Sequence, residues 1–500
     1  MTNIMTAPPA TGGSFDYRLA WWAKYGHVDA AVLQAAARLG LLRLLALSPD
    51  PVTVPRAARQ LGAAALGVRV LLEPLVADGL LTRAGSGFTL APVLREDSRW
   101  QRIETAAAGA AVWFPRAREL TAAVRRDTTG SHNILTHLSQ VMPADLPGGT
   151  GAGQLTCVEV AEDRVTRGYL RAAALMTAGE IGVLDALATV ADPGPGLTDT
   201  GLTDTELARR CDADPEALGV LLDALVAMGV VAGGPAGRRF TGDAGTVLDA
   251  RSVQTFVRGL RLSVAFWPAL VDLEGTVRSG HRVLNLQDAT HSAAFYEDLA
   301  SYNVRILPRY LGAISDIPDL VAAHLPAGGT RRRVLDIGTG SGVWGVAFAR
   351  HDQAVEVTYL DQEPVLRRTR RTVGALALAD RAWFRPGDLR QDDLGHGEFE
   401  VALLGQICHT QPRSALPDLL ERVRTALRPG GVLVLADFVL DEERAAPREY
   451  LDFAVKEFVS THGEVLSLPE YTALLEASGL TCVEFVRRPG IDVIVAVRQP

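Results

Sequence analysis

The residues from Arg333 to Arg350 read Arg-Val-Leu-Asp-Ile-Gly-Thr-Gly-Ser-Gly-Val-Trp-Gly-Val-Ala-Phe-Ala-Arg. Val334, Leu335 and Ile337 form an apolar run that breaks at Gly338, Gly340 and Gly342, where missing side chains let the backbone turn and a ligand come close. A nucleotide-like molecule can therefore lie against this turn. The spacing excludes the dinucleotide fingerprint, which needs its third glycine at Val343 rather than Gly342. Asp361 follows the turn by about 20 residues, where an acid closing the next strand can accept hydrogen bonds from both hydroxyls of a ribose. Farther along stands His409, a side-chain type that titrates near neutrality. It can take a proton from a hydroxyl while a group is transferred in line to the oxygen, or it can simply hydrogen-bond its own loop.

These residues need a scaffold, and the flanking periodicities supply one. Val355 to Leu360, Ala382 to Arg385, Phe399 to Leu404 and Gly431 to Ala436 read as strands, and Leu416 to Leu427 has the apolar spacing of a helix closed by Arg428-Pro429-Gly430-Gly431. Thr481 to Val486 and Ile491 to Arg498 flank Pro489-Gly490 and read as a closing antiparallel hairpin. Strands alternating with helices predict a parallel α/β sheet, with Asp361 at the end of its second strand, His409 just past the fourth and Asp437 at the end of the fifth.

Upstream the chain repeats itself. Leu39-Gly40-Leu41-Leu42 is echoed by Ile181-Gly182-Val183-Leu184, and Val70 to Leu81 by Val220 to Val231, at an offset of roughly 150 residues, far beyond a solenoid period. Each copy reads as helix, short helix, longer helix ending at glycine, and a strand pair: Leu80 to Ala84 with Gly87 to Leu90, and Val230 to Gly233 with Arg239 to Thr241. That is the pattern of a winged helix. Trp113-Phe114-Pro115 is echoed by Phe266-Trp267-Pro268, so the repeat runs on past the wing. Arg69 is the lone basic residue of the two candidate recognition helices, and the net charge is −8, which excludes a nucleic-acid footprint.

The order Asp-x-Gly-x-Gly-x-Gly at Asp336 to Gly342, the acid Asp361, the loop Pro386-Gly387-Asp388-Leu389 and Pro429-Gly430-Gly431 before a strand resembles the class I S-adenosylmethionine-dependent methyltransferases. With a winged-helix-like domain ahead of it, the stretch from Tyr169 to Pro500 is similar to the small-molecule O-methyltransferases of plant phenolic and actinobacterial polyketide pathways. The resemblance implies an α/β fold: a Rossmann-like carboxy-terminal domain with a seven-stranded sheet and antiparallel last hairpin, preceded by two mostly helical winged-helix-like domains. It also implies that Asp336, Gly338, Gly340, Gly342, Asp361, Gln362, Leu389 and Gly405 surround S-adenosyl-L-methionine, released as S-adenosyl-L-homocysteine, with Asp388 at the adenine. His409 then takes the position of the base and Asp437 that of the acid orienting it, although Thr410 and Gln411 stand where the family has Asp and Trp. Trp267, Phe295, Tyr302, Asn303 and His462 are the expected acceptor wall.

The predicted boundaries are 15–142 for a first repeat without a catalytic half, 143–164 for a linker, 165–285 for the second repeat and linker helix, and 286–500 for the cofactor domain. The 48% hydrophobic content is enough for several cores. Cys157, Cys211, Cys408 and Cys482 are dispersed, without the spacing of a zinc site or a disulfide framework, so no metal is expected. Neither a long apolar span nor a signal segment is legible, and a cytoplasmic location is expected. The repeats are expected to pair as an internal pseudo-dimer, with a homodimer left open. The functional expectation is O-methylation of a small, aromatic or polyketide-like natural product. Transfer to nitrogen or carbon, a non-methylating cyclisation on the same fold, and a cofactor- or metabolite-sensing regulator are the alternatives.

Overall fold

The computed structural model describes residues 15–125, 132–142, 156–191, 201–286, 289–326, 332–488 and 490–499. The chain divides into two compact units, one ending at Asp298 and the other beginning at Leu299. The division falls within helix Ala289–Ala313, later than the expected boundary at 285.

The carboxy-terminal unit holds seven strands: β1 (Arg332–Ile337), β2 (Val355–Asp361), β3 (Ala382–Pro386), β4 (Phe399–Gly405), β5 (Leu427–Asp437), β6 (Leu480–Val486) and β7 (Asp492–Arg498). They lie in the order β6-β7-β5-β4-β1-β2-β3, with β7 antiparallel to both of its neighbours and the rest parallel. Residue alternation explains why the sheet is covered on both sides. Val334, Val401, Leu403, Val432 and Val434 enter one core, while Leu335, Ala402, Leu404, Leu433 and Leu435 enter the other. Successive side chains of a strand point to opposite faces, so a continuous apolar run is what a doubly covered parallel sheet requires. Pro429-Gly430-Gly431 does not precede β5 as expected. It forms an irregularity inside it, with the register to β4 shifting between Leu427 and Val432 and Gly430 at φ 73°.

The amino-terminal unit is mostly helical, and its elements recur. In the first series, helices Gly26–Leu39, Leu41–Leu47, Val54–Leu61 and Ala65–Ala77 precede the hairpin Leu81–Ala84 with Gly87–Leu90. In the second, helices Tyr169–Glu180, Val183–Ala191, Asp204–Cys211 and Pro215–Ala227 precede the hairpin Val231–Ala232 with Arg239–Phe240. The local chemistry recurs with them. Thr53 caps one third helix by accepting from Arg56 N, and Thr203 caps the other by accepting from Glu206 N. Leu80 N donates to Leu75 O as Val230 N donates to Leu225 O, and Ala91 N to Leu80 O as Thr241 N to Val230 O.

The expected linker lies outside the described residues as far as 155. From Cys157 to Asp163 it is instead helical, started by a capping box in which Thr156 and Glu159 each bond the other's backbone. Among the described residues no single helix is long and apolar enough to cross a membrane.

Candidate active site

Every candidate near the glycine turn sits where a parallel strand ends. The turn follows β1, Asp361 closes β2, Gly405 closes β4 and Asp437 closes β5. Because β1 lies between β4 and β2, its end is the point at which strand order reverses, where open α/β sheets gather ligands.

The glycines of the turn have different neighbours. Gly340, at φ 53°, has open space on the side where a Cβ would project, so it is the position that leaves backbone free to meet a ligand. A Cβ on Gly342 would lie 2.7 Å from Thr369 Cγ2, and one on Gly338 would run into Ile407. Gly338 and Gly342 are thus packing glycines, kept bare by Ile407 and Thr369. Gly405 is another, pressed against the indole of Trp344.

Asp336 also departs from expectation. It is buried, and its Oδ2 accepts from Thr339 Oγ1 at 2.8 Å and from Gly345 N at 3.0 Å, so it ties the turn to the following helix instead of facing a cofactor. Burial pushes its carboxyl up to about 7 against the pull of those two bonds. Asp361 accepts from Gly340 N at 3.0 Å and from Gln362 N at 2.7 Å, which holds the carboxylate beside the open face of Gly340. Each of its oxygens retains capacity for a further donor. Gln362 is exposed at the start of helix Glu363–Ala375. Asp388 is gripped by Arg390, whose Nε and Nη2 reach its two oxygens at 3.0 and 2.8 Å, while Leu389 packs against the second sheet core.

His409 lies in the short turn Cys408–Thr410, buried. Its Nδ1 is 2.5 Å from Asp437 Oδ1, and its backbone N–H donates to Oδ2 at 3.0 Å. Phe438 N and the Tyr471 hydroxyl also donate to this carboxylate, at 2.8 and 2.9 Å. With Nδ1–H committed to Asp437, a neutral ring keeps the lone pair on Nε2. Burial alone would lower the pKa of His409, but the charge and hydrogen bond of Asp437, together with Glu457, raise it above 6.5. Glu457 is itself buried, its Oε2 accepting from Thr461 Oγ1 at 2.9 Å. Burial raises its carboxyl too, against the opposing charge of His409.

The imidazole is flanked by aromatic rings. Phe453 stands edge-on at 5.1 Å between centroids and Phe438 tilted at 5.4 Å, the two being 4.2 Å from each other. Both are only half-buried. The sequence offers Phe453, with Phe458, only as a weaker candidate for the pocket wall, and Phe438, Glu457 and Tyr471 not at all. A signal existed for two of them, because Phe453 and Glu457 are four apart and share one face of helix Arg448–Ser460.

The expected acceptor-wall residues are divided between the two units. Trp267 is fully buried in the amino-terminal unit, its ring faces stacked by His27 at 5.1 Å and Phe114 at 5.2 Å and its Nε1 donating to Phe114 O. That packing makes it a core residue and corrects the expected ligand role. Phe295 stands edge-on to Phe266 in the same unit, at 5.5 Å. Tyr302 and Asn303 are half-buried on helix Ala289–Ala313. His462 is exposed, and it is its neighbour Gly463 that lies directly on the His409 carbonyl.

Comparison with known proteins fits this geometry. A family profile described as the O-methyltransferase domain matches residues 329–481, and one described as the O-methyltransferase dimerisation domain matches residues 23–95. The probable bifunctional dTTP/UTP pyrophosphatase/methyltransferase protein of Homo sapiens is 26% identical over 343 residues, 66% of this chain and 52% of that protein, so the chain spans about half of that relative. The mitomycin biosynthesis 6-O-methyltransferase of Streptomyces lavendulae is 26% identical over 340 residues, 67% of this chain and 92% of that protein. Human N-acetylserotonin methyltransferase, solved with S-adenosylmethionine, shares the fold at TM-score 0.54 and 21% identity, covering 70% of this chain and 100% of its own. An O-methyltransferase family 2 protein from Planctomyces limnophilus, solved with apigenin, shares it at TM-score 0.53 and 15% identity over 100% of this chain and 99% of its own.

Proposed function

Because this chain belongs to the class I S-adenosylmethionine-dependent O-methyltransferase family, we propose that it acts in the cytoplasm on a hydroxyl of a small aromatic or polyketide-like natural product. The observation carrying this reading is the His409–Asp437 pair, held at the end of β5 and faced by the half-buried rings of Phe438 and Phe453. A flat, electron-rich acceptor can lie against such rings. The relative from Streptomyces lavendulae supports a natural-product acceptor.

The cradle suits the cofactor, since Gly340 leaves its backbone bare and Asp361 stands beside it with acceptor capacity to spare. When bound, S-adenosylmethionine supplies an electrophilic methyl group on a sulfonium. In this reading Gly338, Gly340, Asp361 and Gln362 would hold it, and Asp388 would share its carboxylate between Arg390 and the adenine. Asp437 fixes the imidazole tautomer so that Nε2 can receive the acceptor's hydroxyl proton, and the raised basicity of His409 keeps that proton once taken. The resulting imidazolium is countered by Asp437 at once and by Glu457 through space. Tyr302 and Asn303 complete the acceptor wall.

The test is incubation of the purified chain with S-adenosylmethionine and a panel of phenolic and polyketide-like intermediates, followed by mass spectrometry. A product heavier by one methyl, formed with S-adenosylhomocysteine, supports the reading. Turnover of an acceptor without added methyl would move it to the cyclisation alternative.

A further inference from the structure

The two helical series of the amino-terminal unit meet each other reciprocally. Gly26 and Gly168 hold matching places at the starts of the first helices, and each is a glycine because of the other. A Cβ on Gly26 would lie 2.6 Å from Gly168 O, and one on Gly168 would lie 2.5 Å from Gly26 O. The residues that follow them, His27 and Tyr169, pack on the aromatic of the opposite series, His27 on Trp267 at 5.1 Å and Tyr169 on Phe114 at 5.6 Å. Phe114 and Trp267, themselves matched by the prolines that follow them, stack on one another. The backbone repeats the exchange: Ala64 N donates to Val277 O at 2.9 Å, and Asp214 N donates to Val124 O at 2.8 Å. All of these rings but His27 are large apolar groups, and all are buried.

Reciprocity of this kind, in which one position meets a second and the partner's copy of the second meets the copy of the first, is the mark of a two-fold interface between identical subunits. Here both halves are on one polypeptide. The segment matched by the dimerisation profile, residues 23–95, is the first of them, and it already has a partner in 156–279 of its own chain.

We propose that this chain is its own dimer: the first copy fills, for the second, the place of another subunit, and the functional unit is a single polypeptide with one cofactor site. The pairing buries Phe114, Tyr169 and Trp267, rings that a lone half would leave open to a second chain.

The experiment uses the full chain with a sequence-specific protease site inserted in the Pro- and Gly-rich stretch between Met142 and Thr156. Native mass is measured by light scattering before and after cutting. The expected result is a mass near 53.4 kDa in both cases, with the two fragments co-eluting until denaturant is added. Fragments that part under native conditions, or a mass of two chains at either stage, would overturn the proposal, the latter because it means either exchange of copies between chains or pairing through another face. Gly168→Val, introduced into the cut protein, should promote separation of the fragments, because the added side chain meets the Gly26 carbonyl.

Discussion

Tyr471 and His409 share one carboxylate: the phenol donates to Oδ2 of Asp437 at 2.9 Å, and the imidazole Nδ1 sits 2.5 Å from Oδ1. The charge available to the histidine is therefore set partly by a tyrosine on helix Leu468–Ala477. Burial holds the phenol well above its ordinary pKa, so it remains a donor throughout the working range. Tyr471→Phe should leave Asp437 a stronger partner and move the acidic limb of the pH–rate profile upward, with cofactor affinity unchanged. An unmoved profile in a folded variant would show that the tyrosine only packs.

His409→Ala removes the proposed base. Turnover should fall by about 10² to 10⁴, the usual worth of a positioned general base, while calorimetry finds cofactor binding intact. In the unaltered protein, activity should develop as pH rises through the elevated pKa of His409, because only the neutral ring accepts a proton. The stability contribution runs the other way. A histidine whose pKa is raised by folding stabilises fully below its unfolded value, and that contribution is lost as pH climbs through the folded one.

Cofactor binding should separate the residues of the turn. Asp361→Ala should weaken it by about 1.5 to 3 kcal/mol, roughly ten- to a hundredfold, through loss of charge-assisted hydrogen bonds. Gly340→Val should weaken binding by filling the open side of the turn. Gly342→Ala should instead lower the thermal midpoint, since its Cβ meets Thr369.

Asp336 gives a pH signature of its own. Its folded pKa of about 7 exceeds its ordinary value of 3.8, so the fold binds this proton more tightly than the unfolded chain does. Stability from this group is complete below pH 4 or so and declines toward pH 7. Asp336→Asn should flatten that slope in a thermal-melt series, because the amide oxygen can still accept from Thr339 and Gly345.

Much of the carboxy-terminal unit was legible in the sequence because strand periodicity and glycine spacing are local. Val334 and Leu335 announce a two-sided strand by themselves, and Asp437 by its position after β5. What stayed hidden depends on three-dimensional packing. That Trp267 is a core residue follows from His27 and Phe114, both more than a hundred positions away, and no interval in the sequence carries that information. Asp336 is legible only in part for a similar reason: a motif acid announces its place beside the turn, but its tie to the following helix depends on where Gly345 lands. Tyr471 could be found only by way of Asp437, from a helix that reads as ordinary amphipathic sequence.

In the proposed pseudo-dimer, two paired halves go with a sequence that carries the Asp-x-Gly-x-Gly-x-Gly motif once, and so with one cofactor site per chain. A symmetric pair of subunits can pass the binding state of one site to the other through the shared interface, and cooperativity is the outcome. An internal pseudo-dimer of this kind would have no second copy of that motif to inform. Saturation with S-adenosylmethionine should therefore be hyperbolic, one molecule per chain, and the close Gly26–Gly168 crossing would hold the two halves together without passing a signal between equals.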